Sequence, residues 1–132
     1  MTTTSLDPRR HPFRDDLAAE SLRDQVSAPR YVDGQVRQVV HSATPLRGRP
    51  EPRASWTSEA LFGELVTVYD EKDGWAWVQL ARDGYVGYLR SGALASQLKP
   101  ATHCVRALNT FLYPVAEVKA PPWLPLSMTS TV

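Results

Sequence analysis

Apolar and polar residues alternate in three consecutive runs in the middle of the chain, and each run predicts a β-strand. The runs span residues 64–72, 75–81 and 85–89. Lys72-Asp73-Gly74 and Arg82-Asp83-Gly84 separate them, and Asp-Gly between alternating runs is a strong signal for a β-hairpin. Residues 36–40 predict a further strand, and residues 91–94 predict a short helical turn. Short strands this close together predict an all-β fold, a small and partly open barrel.

The segments on either side of these strands have a different pattern. Residues 15–26 predict a short amphipathic helix that Asp15 or Asp16 caps, with Ala19, Leu22 and Val26 on one face. A helix this short is not stable alone, so we expect it to dock on the barrel. The residues before it, which include Pro8 and Pro12, predict an extended arm. Downstream, residues 102–108 and 110–113 predict strands, and the proline-rich residues 120–125 follow.

Glycine and proline divide the chain into three predicted regions. All seven glycines lie between Gly34 and Gly92, and no proline falls between Arg53 and Lys99. We therefore predict an arm and short helix at 1–34, a first small barrel at 35–98, and the incomplete start of a second barrel at 99–132. A faint repeat at a spacing of 66 residues supports the third region. It matches Val39, Leu46, Phe62 and Val66 with Val105, Leu112, Met128 and Val132.

Composition narrows the classes of partner. A net charge of +1 gives no electrostatic footprint for nucleic acid or for an anionic membrane. The first residues carry no apolar stretch behind Arg9 and Arg10, so we expect no secretory signal and a cytoplasmic location. One cysteine excludes an internal disulfide, and three histidines argue against a dedicated zinc site. We expect neither a metal nor a cofactor.

Three motifs carry a resemblance to a known family. They are Ser58-Glu-Ala-Leu-Phe-Gly-Glu-Leu-Val-Thr-Val68, Lys72-Asp-Gly-Trp-Ala-Trp-Val-Gln-Leu80 and Asp83-Gly-Tyr-Val-Gly-Tyr-Leu89. Together they resemble a bacterial SH3 domain, which implies that the barrel at 35–98 and the incomplete barrel at 99–132 are SH3-like. More narrowly, they are similar to the first of two SH3 domains that precede the catalytic domain of NlpC-like cell-wall cysteine peptidases. The flanking residues 7–17, 106–114 and 119–122 resemble the same enzymes, so the resemblance covers nearly the whole chain.

The resemblance implies a γ-D-glutamyl-L-diamino acid endopeptidase that cuts peptidoglycan peptides with a Cys–His pair in a C-terminal domain. This sequence contains no such domain, so we expect a non-catalytic module that acts on L-Ala-γ-D-Glu-diamino acid peptides together with a catalytic domain. An alternative is a free-standing interaction module that binds a protein through its edge strand and proline-rich tail. Catalysis by this chain alone is a third hypothesis.

The resemblance also implies two substrate-binding residues. Glu64 matches an acidic position that follows Leu61-Phe-Gly63, and Tyr85 matches the tyrosine of a Gly-Tyr-x-Gly motif. In the family, such a pair helps to bind the free amino terminus of L-alanine. The alternative is structural, with Glu64 a solvated strand residue and Tyr85 packed on Trp77.

The alternation of residues 75–80 suggests a second aromatic candidate. Ala76, Val78 and Leu80 would face the core, which leaves Trp75 and Trp77 on the outer face. An exposed aromatic pair would make a peptide-binding platform, although either ring could instead cover the barrel mouth or the helix.

Cys104 is the only candidate thiol nucleophile, and it directly follows His103. Neighbouring side chains on a strand point to opposite faces, so the pair is not expected to react. We interpret Cys104 as a half-buried structural residue.

Overall fold

One antiparallel sheet of seven strands dominates the computed structural model, which describes residues 5–116 and 122–132. Two short strands precede it, β1 (Ala18–Ala19) and β2 (Tyr31–Val32). The sheet contains β3 (Gln35–Val39), β4 (Ala43–Arg47), β5 (Trp56–Leu61), β6 (Leu65–Lys72), β7 (Trp75–Leu80), β8 (Val86–Arg90) and β9 (Leu94–Ala95). Their spatial order is β5-β4-β8-β7-β6-β3-β9. The all-β prediction is confirmed, and the described strands form an open sheet rather than a closed barrel.

The central hairpins follow the predicted turn chemistry. Only two residues, Asp73 and Gly74, connect β6 to β7, and their φ angles are +54° and +82°. Two positive φ angles are what a tight two-residue hairpin turn requires, and Asp-Gly tolerates them. The predicted helical turn is also confirmed, as a 3₁₀ turn at Ser91–Ala93.

The core lies on the face of β7 that the alternation predicted. Ala76, Val78 and Leu80 are fully or almost fully buried. They pack with six other buried residues of the sheet: Val39, Leu46, Ala60, Val66, Val68 and Leu89. The other face of β7 carries Trp77, which packs with Leu17 and Val86 in a second, smaller cluster. The sheet is therefore apolar on both faces in its centre.

The predicted helix at 15–26 is wrong. Ala19 has extended dihedral angles (φ −62°, ψ 141°), and its strand β1 pairs in parallel with β2. A single 3₁₀ turn, Glu20–Leu22, follows. Asp16, expected as a cap, instead accepts two hydrogen bonds from the guanidinium of Arg14. Leu17, Ala18 and Ala19 are buried in this extended segment. The packing that buries them outweighs the weak local preference for a helix.

A β-bulge changes the outward-facing residues of β6. Val68 pairs with Val78, whereas Asp70 pairs with Trp77, so Tyr69 is the extra residue. Without the bulge, Asp70 would lie on the same face as Val68, because side chains two apart on a strand share a face. The bulge moves Asp70 to the outer face, where its carboxylate meets Arg14 at 2.8 Å.

The last third of the described chain forms a separate two-stranded antiparallel sheet. Its strands are β10 (Asn109–Leu112) and β11 (Leu124–Ser127). The predicted strand at 110–113 is close to β10, but the predicted strand at 102–108 is wrong, since only Cys104 there forms a bridge, with Thr131. Part of the proline-rich segment 120–125 lies outside the described residues. Assignment of residues 99–132 to a second barrel stays a prediction.

Candidate functional site

Two cavities without a common lining residue are lined by three of the four predicted site residues. The larger one, about 750 Å³, is lined by Glu64 and is called the Glu64 cavity here. The smaller one, about 540 Å³, lies on the outer face of β7 beside Trp75 and Trp77 and is called the tryptophan cavity. The structure therefore separates the acidic candidate from the aromatic pair. Tyr85 lines neither of them.

Glu64 is a buried carboxylate with one unused oxygen. Only 7% of its side chain is exposed, so the expected alternative of a solvated residue is wrong. Oε2 accepts a hydrogen bond from the backbone N–H of Leu61 at 2.5 Å and lies 3.8 Å from Nη1 of Arg82. Oε1 is buried without a hydrogen-bond partner in the described part of the chain. An orphaned buried acceptor is costly, so this oxygen calls for a donor to complete its hydrogen bonding.

The surroundings of Glu64 shift its ionisation. Burial raises the pKa of this carboxyl above its usual value, because a charge loses hydration when it leaves water. The hydrogen bond from Leu61 and the charge of Arg82 oppose that shift without cancelling it. A cationic group placed at Oε1 would stabilise the ionised form.

A tight turn and a buried amide hold Glu64 in place. Gly63 precedes it with a φ of +88°, a conformation that favours glycine. Gln38 on β3 is buried, and its Nε2 donates to the carbonyl oxygens of Gly63 at 3.1 Å and Lys99 at 3.0 Å. The Gln38 side-chain oxygen accepts from the backbone N–H of Lys99 at 2.8 Å. One side chain thus connects two walls of the Glu64 cavity.

The remaining walls are mainly apolar and come from the central sheet and the C-terminal third of the chain. Leu65, Leu98 and Pro100 line the cavity, and both leucines are exposed. Thr131 closes the wall beside the Gly63 turn, where its backbone N–H donates to the carbonyl of Phe62 at 2.9 Å. The cavity therefore combines a hydrocarbon lining with a single buried acid.

Tyr85 has a different set of neighbours from those of Glu64. Its ring packs against the main core and is covered by the guanidinium of Arg10, 4.9 Å from the ring centre. Its backbone N–H donates to Asp83. No hydrogen bond between Tyr85 and Glu64 occurs in the described residues, so the proposed pairing of the two side chains stays a prediction without geometric support.

The two tryptophans face outward as predicted, but the expectation that they are exposed is wrong. Trp75 is 8% exposed and Trp77 is 4% exposed. Trp77 packs with Leu17 and meets Tyr69 edge to face, with ring centres 6.0 Å apart. The N-terminal segment, rather than a ligand, covers this face of the sheet, which was the structural alternative.

Arg14 covers the ring of Trp77. Its guanidinium lies 4.5 Å from the ring centre of Trp77, and it donates to Asp16, Asp70 and the hydroxyl of Tyr88. Burial on its own would lower the pKa of Arg14, but the three hydrogen bonds outweigh burial and raise it. The sequence interpretation missed this residue, because its partners lie 56 and 74 positions away.

Cys104, the thiol that was not expected to be catalytic, has no histidine hydrogen-bonded to it in the part of the chain that the structure describes. Cys104 is exposed rather than half-buried, and it lines the Glu64 cavity. His103 binds Thr102 through Nδ1 at 2.7 Å, and no hydrogen bond joins it to Cys104 within the described ranges. Residues 5–116 and 122–132 contain no group of three or more potential metal ligands. Nor does that part of the chain hold a helix of the length and apolarity needed to cross a membrane.

Comparison with known protein families finds a match for the central part of the seven-stranded sheet. Residues 46–94, from the end of β4 to the first residue of β9, match the family described as the bacterial dipeptidyl-peptidase SH3 domain. The prediction of a bacterial SH3 region is confirmed by this match, which does not extend to a catalytic domain or to the narrower NlpC-like assignment. No curated protein matches the chain. The match therefore supports a bacterial SH3 region in the central sheet.

Proposed function

We propose that this chain is the substrate-recognition module of a peptidoglycan-peptide hydrolase and that Glu64 binds the free amino terminus of the peptide. The catalytic groups would come from a separate Cys–His domain of the NlpC-like type. The observation that carries the proposal is the buried Glu64 carboxylate, which lines a mainly apolar cavity and whose Oε1 has no hydrogen-bond partner among residues 5–116 and 122–132.

The chemistry of the cavity supports an amine ligand. An ammonium group donates three hydrogen bonds and carries the positive charge that stabilises a buried carboxylate. A charge-assisted bond of this kind contributes about 1.5–3 kcal/mol, which corresponds to roughly tenfold or more in affinity. The neighbouring apolar walls suit the short methyl side chain of an N-terminal alanine.

The family match supports the class of the parent enzyme. A bacterial dipeptidyl-peptidase acts on peptides, and the matched region is its SH3 domain by name. The proposed ligands are L-Ala-γ-D-Glu-diamino acid peptides with a free amino end, encountered as cell-wall fragments in the cytoplasm. Recognition of the free amine would favour such fragments over peptides still bound to the glycan.

A titration of the isotopically labelled chain followed by NMR tests the proposal. L-Ala-γ-D-Glu-L-Lys should shift amide signals of residues that line the Glu64 cavity, and its N-acetyl derivative should not at the same concentration. Glu64→Gln should abolish the difference. Glu51→Gln is the matched control, because it removes one exposed carboxylate elsewhere. Equal shifts with the free and acetylated peptides would refute amine recognition.

A second candidate function has an observation of its own. Phe111, Tyr113 and Trp123 are about half exposed or more, and they lie on or next to the hairpin of β10 and β11. Clustered exposed aromatics are typical of protein-interaction surfaces. If the chain binds a protein, that partner should shield Trp123 from a soluble fluorescence quencher. Peptidoglycan peptides should have no such effect.

A further inference from the structure

Two cations share the Glu64 cavity with the buried acid. Lys99 and Arg82 both line it, so its charged groups are one carboxylate and two cations. An amine ligand alone would meet repulsion from the cations as well as attraction to Glu64. The charge pattern instead matches a ligand that carries both signs.

The position of Lys99 at the cavity is fixed by its backbone. Both its N–H and its carbonyl oxygen bind the buried side chain of Gln38, at 2.8 and 3.0 Å. The same Gln38 amide holds Gly63, the residue before Glu64. The side chain of Lys99 has no ion pair in the described ranges, so a fixed backbone carries a free ammonium group.

Arg82 is available to a ligand for a different reason. Its side chain is half exposed, and its contact with Glu64 Oε2, at 3.8 Å, is longer than a hydrogen bond. The guanidinium therefore retains its donors. Its planar fork of N–H groups matches the two oxygens of a carboxylate.

We infer that the Glu64 cavity binds a zwitterionic peptide end, in which Glu64 holds the ammonium group and Lys99 with Arg82 holds a nearby carboxylate. Leu65 and Leu98 would cover the hydrocarbon between the two charges. This inference rests on the proposed function and deepens it. Among peptides with a free amine, it selects a free α-carboxylate on the second residue over a carboxamide.

The chain contains a natural reporter for this site. Cys104 is the only cysteine, it is exposed, and it lines the cavity. A bound peptide should therefore slow its alkylation by N-ethylmaleimide, a neutral reagent that the local charges neither attract nor repel. The concentration that halves the rate, measured relative to the rate of each variant without ligand, reports affinity.

Three peptides test the ammonium group and the carboxylate of the ligand separately. They are L-Ala-γ-D-Glu-L-Lys, the same tripeptide with D-isoglutamine in place of D-glutamate, and the N-acetyl form of the first. The carboxamide should protect Cys104 about three- to fivefold less well than the carboxylate, which is the range for partly exposed charge pairs. Raising the NaCl concentration to 0.5 M should shrink that difference, because salt screens exposed charges.

Variants assign the carboxylate to its residues. Lys99→Gln and Arg82→Gln should each reduce the preference for carboxylate over carboxamide to twofold or less. Arg53→Gln, which removes an exposed positive charge outside the cavity, should leave the preference unchanged. A preference that survives in both cavity variants would overturn the assignment.

The outcomes distinguish this inference from the proposed function. Equal protection by carboxylate and carboxamide, with loss on acetylation, would refute the zwitterion and leave amine recognition standing. A response to the carboxylate but not to acetylation would refute both, since the cavity would then bind anions only. Failure of every peptide to protect Cys104 would also count against both.

Discussion

The backbone oxygen of Thr131 occupies the place where a Cβ atom of Gly63 would lie. The side-chain oxygen of the same threonine is equally close to that position, and its N–H donates to Phe62. The C-terminal segment can therefore reach the Gly63 turn only because residue 63 has no side chain. This contact closes the Glu64 cavity on one side.

Gly63→Ala should displace residues 129–132 from the turn and destabilise the fold. The alanine would combine backbone strain at a φ of +88° with a clash against backbone, so we expect a loss of more than about 2 kcal/mol. Gly74→Ala is the control, because its φ is +82° but nothing lies within 4 Å. That change should cost only about 1 kcal/mol. Equal unfolding free energies for the two variants in urea would contradict the clash.

Trp77 should stabilise the fold far more than the exposed Trp56. Trp77→Ala removes a buried ring between the sheet and the N-terminal segment, which should cost about 3–5 kcal/mol. Trp56 is 59% exposed, so Trp56→Ala should cost less than about 1 kcal/mol. Denaturant unfolding followed by circular dichroism measures both. If Trp77→Ala does not fold, Trp77→Phe should still be less stable than Trp56→Phe, and the reverse order would refute this packing role.

Glu64→Gln should make the unliganded chain more stable at neutral pH. The raised pKa means that the folded chain binds this proton more tightly than the unfolded chain, whose carboxyl has the ordinary value near 4.5. Stability therefore falls as the pH rises from that value through the raised folded pKa, and the penalty persists at pH 7. Removing the charge should raise Tm by up to about 5 °C, the shift that about 1 kcal/mol gives in a domain of this size.

The pH dependence provides the control for Glu64→Gln. Below the unfolded pKa the wild-type carboxyl is protonated in both states, so the two proteins should have similar Tm values there. A stabilisation that is as large at pH 3 as at pH 7 would show that the charge of Glu64 is not the cause.

The chain alone should not hydrolyse γ-D-glutamyl peptides. A thiolate nucleophile needs a base within hydrogen-bond distance, and His103 is directed to Thr102 instead. An assay of released diamino acid checks this, with Cys104→Ala as the reference. Turnover that disappears in Cys104→Ala would contradict the assignment of this chain as non-catalytic.

Local signals in the sequence explain why the central hairpins were predictable. The Asp73-Gly74 turn and the alternation of residues 75–80 are short-range properties, and both appear in the structure as expected. The strand β4 was missed because Pro45 interrupts its pattern, and proline is usually excluded from strand interiors. The false helix at 15–26 arose because its spacing of apolar residues fits a helix face equally well.

Only those features of the site that follow from a local sequence pattern could be predicted. Glu64 stood out by its motif, but its burial depends on Gln38 and on Thr131, which are 26 and 67 positions away in sequence. The outward direction of Trp75 and Trp77 followed from strand periodicity. Their burial did not, because it depends on the N-terminal segment folding back onto the sheet through Leu17 and Arg14.

That fold-back makes the cooperative unit larger than the matched region. Residues 46–94 match the family, but they depend on contacts with the N-terminal segment. The N–H of Val86 donates to the carbonyl of Arg9, and Arg14 lies over Trp77 and forms an ion pair with Asp70. A segment excised at the first residue of β3 would expose the indole rings and leave these donors and acceptors to water. Recombination between related genes would therefore preserve this module only if residues 5–32 are inherited together with the sheet.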